Sequence, residues 1–348
     1  IIKNKYGKVE MSTSFSSNHN FSKGFFYVAD GTFNFYDTEK KTAYQDCYAS
    51  LNAGKTLGIG NYDSANIIHS NGKFYLLVGT STSNRDHFYI VDAKTLYYEN
   101  SAVVGANLSG LTILNEQYGL VTGDGIRRID LKSLNNVRIK NERLLCFYNS
   151  IIYNGKVLSN DTYKDESKVK YYDVNELIAA KEGEAPAVTE LDIIQKQKIN
   201  FVLAKDGNVY TLESADNGCN IVKIKNDFTL EKVFANFQPA KGPYHSSPTI
   251  GMVASETENI IYLVSTDGAI YKYILGDSDS LKAPFIAAES GVSITAPLQL
   301  NQQSGELYVT YTEERKDESK IVVYSKDGKV LHTVDCGESV PSQILFNN

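Results

Sequence analysis

The five histidines of the chain are the side chains best suited to metal binding or to proton transfer near neutral pH. They are His19, His69, His87, His245 and His332. None belongs to an H-E-x-x-H pattern, and no two are spaced to hold one metal ion from a single strand. The sequence also lacks a G-x-S-x-G nucleophile turn and a phosphate-binding loop. We therefore predict no catalytic residue, no metal site and no cofactor.

Candidate ligand-binding residues are aromatic and charged side chains in the segments that connect strands, where functional residues concentrate. Segment 241–248 is the richest, because it combines prolines, a tyrosine and a histidine. The predicted binding residues are Tyr62, Asp63, Arg85, His87, Tyr163, Tyr244, His245 and Arg315. The chain contains 24 tyrosines, so each candidate also has a purely structural interpretation.

The strands that position these residues are indicated by eight Asp-Gly or Asn-Gly dipeptides, which lie between short runs rich in Val, Ile, Tyr and Phe. They are Asp30-Gly31, Asn71-Gly72, Asp124-Gly125, Asn154-Gly155, Asp206-Gly207, Asn217-Gly218, Asp267-Gly268 and Asp327-Gly328. A two-residue type I′ turn needs positive φ at both central residues, which Asn or Asp tolerates and Gly adopts freely. The sequence therefore predicts an all-β protein built from antiparallel hairpins.

A repeat of about 48 residues organises these hairpins. The ends of one recurring strand lie at Asp37, Asp92, Asp130, Asp173, Asn226, Leu275 and Ser325, in steps of 55, 38, 43, 53, 49 and 50 residues. Units of this length with four strands are typical of propeller blades. We predict a seven-bladed β-propeller with four antiparallel strands per blade. The aspartates that end this strand are interpreted as turn residues.

The blades are expected to form one domain over residues 1–348, because no linker divides the chain. In blade 2 the predicted strands are 64–70, 73–79, 87–92 and 96–102. A short helix is predicted over 175–185, capped by Asn175. The tail 340–346 is expected to pair with strand 24–30 and so join the two ends of the sequence. Residues 8–17 are the alternative inner strand for that blade.

Bulk composition excludes several classes of protein. Hydrophobic residues make up 42% and charged residues 22%, a globular balance. The net charge of −6 argues against nucleic-acid binding, which requires Lys and Arg to neutralise phosphates. No apolar run reaches eighteen residues, so no transmembrane segment is predicted. The start at Ile1 predicts that a targeting segment has been removed.

The four cysteines, Cys47, Cys146, Cys219 and Cys336, lie far apart without a C-x-x-C pair, which argues against a metal cage. Cys47 and Cys336 each follow an Asp near an outer strand, so a disulfide between them is one possibility. Buried free thiols are the alternative, and we favour it.

The blades resemble the YncE-like family of seven-bladed propellers. The resemblance rests on segments such as Gly72–Val78 with Tyr89–Leu96, and on Gly305–Thr310 with Ile321–Lys329 in the last blade. It covers nearly the whole chain and rests on strand and turn motifs. The last blade is similar to bacterial secreted or surface lipoproteins, a group that includes a protein capturing vitamin B12 for an outer-membrane transporter. The resemblance implies a secreted, periplasmic or outer-surface location and transfers no binding residue.

We therefore expect a monomeric, non-catalytic propeller that captures a small molecule or binds an outer-membrane transport protein. A propeller enzyme, either a metal-assisted hydrolase or a lyase, is the alternative, and a scaffold for protein partners is the third hypothesis. A ligand is expected over the channel mouth, between Tyr62 and Asp63 on one side and Tyr244 and His245 on the other. Aromatic rings there would stack on a planar ligand.

Overall fold

The structure is a computed structural model of the chain. It describes residues 19–53, 55, 57, 64–79, 85–106, 108–123, 125–140, 150–160, 167–184, 186–195, 200–240, 251–313 and 318–347. Seven antiparallel sheets make up this part of the chain, one for each blade of a seven-bladed β-propeller. The predicted fold class is confirmed. The blades fall into two compact units, which are described in turn.

The first unit spans residues 1–106 and 291–348 and contains blades 1, 2 and 7. Blade 1 consists of β1 (Gly24–Ala29), β2 (Thr32–Asp37), β3 (Thr42–Tyr44) and, as inner strand, β28 (Pro341–Leu345). Helix α1 (Cys47–Leu51) follows β3. Blade 2 consists of β4 (Ser64–Ser70), β5 (Lys73–Gly79), β6 (Asp86–Asp92) and β7 (Tyr98–Gly105). Blade 7 consists of β23 (Val292–Ile294), β24 (Gln299–Leu300), β25 (Leu307–Glu313), β26 (Ser319–Tyr324) and β27 (Val330–Gly337).

The second unit spans residues 107–290 and contains blades 3 to 6. Blade 3 consists of β8 (Leu108–Ile113), β9 (Tyr118–Gly123), β10 (Gly125–Asp130) and β11 (Asn136–Lys140). Blade 4 consists of β12 (Ile151–Tyr153), β13 (Lys156–Asn160), β14 (Ser167–Asp173) and β15 (Val188–Gln195), with α2 (Val174–Ala179) between the last two. Blade 5 consists of β16 (Val202–Leu203), β17 (Val209–Ala215), β18 (Gly218–Ile224) and β19 (Leu230–Phe237). Blade 6 consists of β20 (Met252–Ala254), β21 (Ile260–Val264) and β22 (Ile270–Ile274).

Six of the eight Asp-Gly and Asn-Gly dipeptides form turns of two kinds. Asp124 lies outside the described residues, and at Asn217-Gly218 only the glycine has positive φ and is already paired, with Ala215, as the first residue of β18. Both residues have positive φ at Asp30-Gly31, Asn71-Gly72 and Asn154-Gly155, as a type I′ turn requires. At Asp206-Gly207, Asp267-Gly268 and Asp327-Gly328 only the glycine has positive φ. There the glycine N–H donates to the carbonyl three residues earlier, as Gly268 does to Ser265. Type I′ geometry is therefore wrong for these three, because a longer type I turn leaves only its last residue in the left-handed region.

The aspartates at the ends of the third strands are turn residues, as predicted. Asp92 Oδ1 accepts hydrogen bonds from the backbone N–H groups of Lys94 and Thr95 at 3.0 and 2.7 Å. Asp173 does the same for Asn175 and Glu176, at 2.8 and 3.1 Å. The helix cap is therefore Asp173, not Asn175, and α2 ends at residue 179 rather than 185.

The tail of the chain is the inner strand of blade 1, which confirms the preferred prediction. Strand β28 pairs antiparallel with β1, with Tyr27 opposite Ile344 and Val28 opposite Gln343. The Gln343 Nε2 group donates to the carbonyl of Ile67 in blade 2 at 2.7 Å. The alternative strand, residues 8–17, lies outside the described residues. The tail therefore connects the first blade to its neighbour as well as completing its sheet.

Two blades depart from the simple four-strand plan. In blade 6 the outer position is occupied only by an isolated bridge between Ile270 and Ile286. In blade 7 the inner strand is interrupted, and both of its parts pair with β25. Pro297 lies in the interruption, where it needs no ladder hydrogen bond.

The described cysteines are free thiols, which bears out the favoured alternative. Cys47 belongs to the apolar cluster that blade 1 shares with blade 2, whereas Cys336 packs on the cluster that blade 1 shares with blade 7. A disulfide between them is therefore not formed, because they lie in different clusters. Burial raises the pKa of the Cys336 thiol to about 12. Cys146 lies outside the described residues.

Candidate functional site

Most of the predicted binding residues lie outside the part of the chain that the structure describes. They are Tyr62, Asp63, Tyr163, Tyr244, His245 and Arg315. Arg85 and His87 are described, and their role in binding remains a prediction. Arg85 is exposed immediately before β6. His87 lies within β6 rather than in the preceding connection, and its ring stacks on Tyr89 with centroids 5.9 Å apart.

The residues that flank the connections of the second unit are joined by buried hydrogen bonds. Asn160 is the last residue of β13, and Gln195 is the last residue of β15. The Asn160 Nδ2 group donates to Gln195 Oε1, and Gln195 Nε2 donates to Thr211 Oγ1 at 2.9 Å. Gln195 Nε2 also donates to the Leu212 carbonyl at 3.0 Å. These three side chains are at most 1% exposed, so blades 4 and 5 share a dry polar contact.

The same chain of hydrogen bonds continues into blade 6. Thr211 Oγ1 donates to the Asn200 carbonyl at 3.0 Å. The Asn200 side chain forms two hydrogen bonds with the backbone of Met252. Asn200 Nδ2 donates to the Met252 carbonyl at 2.6 Å, and Asn200 Oδ1 accepts from the Met252 N–H at 3.0 Å. We call the set Asn160, Gln195, Thr211, Asn200 and Met252 the polar relay. It links the fourth, fifth and sixth blades through amide side chains.

Gly251 precedes Met252 and fits the polar relay closely. Its φ is +71°, a conformation that side chains rarely adopt. A Cβ atom at this position would lie 2.6 Å from Asn200 Oδ1. The backbone conformation therefore favours glycine, and a side chain here would displace the Asn200 amide. This glycine directly follows the segment that carries Tyr244 and His245.

Hydroxyl groups form a similar link in the first unit. Thr295 Oγ1 lies 2.9 Å from Thr312 Oγ1, which lies 2.9 Å from Ser319 Oγ. Thr312 and Ser319 stand opposite each other near the ends of β25 and β26. Thr310, two residues earlier on the same face of β25, is fully buried, and its hydroxyl has no partner among the described residues. The link again lies next to a predicted residue, since β25 and β26 flank the segment that carries Arg315.

Two further findings bear on chemistry and on membranes. Among the described residues there is no cluster of three or more His, Cys, Asp or Glu side chains placed to hold a metal ion. No helix in the described segments is both long and apolar enough to cross a bilayer.

The chain matches a family model described as Domain of unknown function (DUF5074) over residues 21–347. It belongs to this family. The DUF5074 chain has no match among curated proteins. The resemblance to YncE-like propellers stays a prediction.

Solved structures similar to this DUF5074 chain share its fold at low sequence identity. A functionally unknown protein from Desulfotomaculum acetoxidans is 13% identical, with a TM-score of 0.59, and the match covers 93% of this chain and 99% of that one. The dihydro-heme d1 dehydrogenase NirN, in complex with DHE, is 12% identical with a TM-score of 0.53, covering 94% and 76%. Kluyveromyces lactis Hsv2 is 11% identical with a TM-score of 0.51, covering 94% and 97%. At these identities the likeness concerns the fold alone.

Proposed function

We propose that this DUF5074 chain is a non-catalytic binding propeller that captures a small molecule on the connections between its strands. The observation that carries the proposal is the position of the polar relay. Four of its five residues lie at the ends of three connections: Asn160 precedes 161–166, Gln195 and Asn200 enclose 196–199, and Met252 follows 241–250 after Gly251. Two of these connections carry the predicted binding residues Tyr163, Tyr244 and His245.

The polar relay fixes the backbone at the ends of these connections, which supports a binding role for them. Burying an amide side chain is favourable only when its hydrogen bonds are satisfied. An apolar residue of similar volume would fill the same space without this desolvation cost. A buried network does specify one arrangement of the backbone. Fixing the ends of three connections reduces the entropy that they lose when a ligand binds. We infer that these connections form the ligand site of the second unit.

A thermal-shift screen tests the proposal directly. The probes are cyanocobalamin, ferric enterobactin and maltohexaose, which represent corrinoids, siderophores and oligosaccharides. A ligand at one hundred times its Kd adds about 2.7 kcal/mol to the free energy of unfolding, which is readily detected as a rise in Tm. The matched variants are Tyr244→Ala, placed in the proposed site, and Tyr97→Ala, at an exposed residue immediately before the outer strand of blade 2.

We expect one probe class to raise the Tm of the parent and of Tyr97→Ala, and to have little effect on Tyr244→Ala. If all three classes leave the parent unchanged, small-molecule capture of these kinds is wrong. If a probe is consumed during incubation, the protein is an enzyme and the non-catalytic assignment fails. Equal binding by the parent and by Tyr244→Ala would place the ligand elsewhere.

A further inference from the structure

The outer edge of blade 7 is formed by β27, which has charges of opposite sign at its two ends. Among the described residues this strand pairs on one side only, with β26. Lys329 directly precedes the strand and Glu338 directly follows it, and both side chains are exposed. Neither forms an ion pair within the described part of the chain. The outer edge of a sheet in this condition can accept a further strand.

The features of β27 are symmetric about the middle of the strand, between Thr333 and Val334. The pairing with β26 skips Leu331 near one end and Cys336 near the other, so that residues 332–335 form the regular stretch. Bulges disrupt pairing, and the stretch between them is therefore the part of the edge best suited to a second strand. The lysine and the glutamate at the two ends lie equally far from the same midpoint. A copy of the strand laid antiparallel about this point would place each charge opposite its counterpart.

The other outer strands lack this arrangement. Strand β3 has only three residues. Strand β11 carries cations alone, so pairing with its own copy would bring like charges together, which is destabilising. In β7, β15 and β19 each charged side chain is already paired within its own blade. The side chains concerned are Arg138 and Lys140 in β11, Glu99 in β7, Glu190 and Asp192 in β15, and Glu231 and Lys232 in β19.

Exposed apolar side chains lie at the beginning of β27. Val330 is 58% exposed, the largest value among the exposed large hydrophobic residues that the structure describes, and Leu331 is 44% exposed. In the antiparallel arrangement they would face Gly337 and Cys336 of the second copy. Removal of this apolar surface from water favours association. The strand thus combines an open edge, apolar surface and charges that complement themselves.

We propose that two copies of the chain form a symmetric dimer through β27, with the twofold axis between Thr333 and Val334. Lys329 of each copy then lies near Glu338 of the other, and the interface contains each such ion pair twice. The regular stretch is short and the contact is smaller than a standard interface, so the dimer is weak and depends on protein concentration. This dimer replaces the monomer expected from the sequence, and it does not involve the connections of the second unit.

The test is sedimentation velocity over about a hundredfold range of protein concentration. Lys329→Glu and Glu338→Lys each bring like charges together and should raise the Kd of the dimer by at least about tenfold. The double variant exchanges the two charges and should return the Kd to within about threefold of the parent value. Lys94→Glu is the matched control, because Lys94 is exposed in the turn between β6 and β7 and undergoes the same change of charge.

Amide hydrogen exchange locates the contact. The amides of β27 should exchange more slowly in the concentrated sample than in the dilute one, whereas those of β19 should be unchanged. A dimer that weakens in both single variants and recovers in the double variant would support the proposal. It is overturned if the parent stays monomeric at every concentration, or if the single variants dimerise as well as Lys94→Glu. A double variant with the Tm of the parent that does not recover, or protection on another strand, would likewise rule out this interface.

Discussion

Replacing Gln195 with Leu is expected to lower the free energy of unfolding by about 2–4 kcal/mol. Leucine has a similar volume, so the loss comes from hydrogen bonds and not from a cavity. Gln195 is 1% exposed, and its amide binds Asn160, Thr211 and Leu212. Without it the buried Asn160 Nδ2 donor loses its acceptor, at about 1–3 kcal/mol, and two oxygens each lose a donor worth about 0.5 kcal/mol.

The assay is urea unfolding followed by far-ultraviolet circular dichroism, since the chain has no tryptophan to report by fluorescence. The urea concentration at the midpoint of unfolding should fall. The slope of the free energy of unfolding against urea concentration should stay constant, because the surface exposed on unfolding is the same. Gln303→Leu is the control, because Gln303 is exposed and should change stability by less than about 0.5 kcal/mol. A loss of less than about 1 kcal/mol in Gln195→Leu would refute the buried network as described.

Two further predictions concern backbone geometry and pH. In urea unfolding, Gly251→Ala should lower the free energy of unfolding by about 1–3 kcal/mol more than Gly72→Ala does. The φ angle is about +70° at both glycines, but only Gly251 lies close to Asn200. Equal losses in the two variants would contradict this close contact. The pKa values of His19 and His69 are lowered, chiefly by burial. The stability that the two neutral histidines contribute is therefore fully present above pH 6.5. It is lost as the pH falls through their folded-state pKa values, because protonation then favours the unfolded chain. Tm measured between pH 8 and pH 5 should fall, and His69→Phe should reduce that fall; an unchanged pH profile in this variant would be evidence against His69.

The architecture was predictable because it rests on local chemistry that repeats. Gly adopts positive φ freely and Asn or Asp favours tight turns, so the seven dipeptides within the described residues all lie at junctions between strands, whether or not the turn is type I′. The aspartate turns repeat because blades 1 to 4 make the same bend after their third strand, at Asp37, Asp92, Asp130 and Asp173. Blade boundaries were accurate to a few residues; β6 begins at Asp86 rather than 87, and β7 covers Tyr98–Gly105 rather than 96–102.

The polar relay was not predictable in the same way. Its hydrogen-bonding side chains belong to an Asn, a Gln and a Thr in three different strands and to an Asn that precedes a fourth strand. No fixed spacing in sequence marks amides that meet only after folding. Helix α1 was missed because five residues are too short to show helical periodicity. In blade 6 the repeat predicted an outer strand that the structure does not contain. The period predicted a strand there, but Gly276, Asp277 and Pro284 favour turns.

The pairing of β28 with β1 has a consequence for how the protein is made. About 300 residues separate the two strands in sequence, and synthesis at roughly 5–20 residues per second would deliver the last strand roughly 15–60 s after the first. During that interval the inner edge of β1 has no partner from its own blade. Such an edge can pair with another chain, so the newly made protein depends on being kept apart from its neighbours until β28 has been made and has paired with β1.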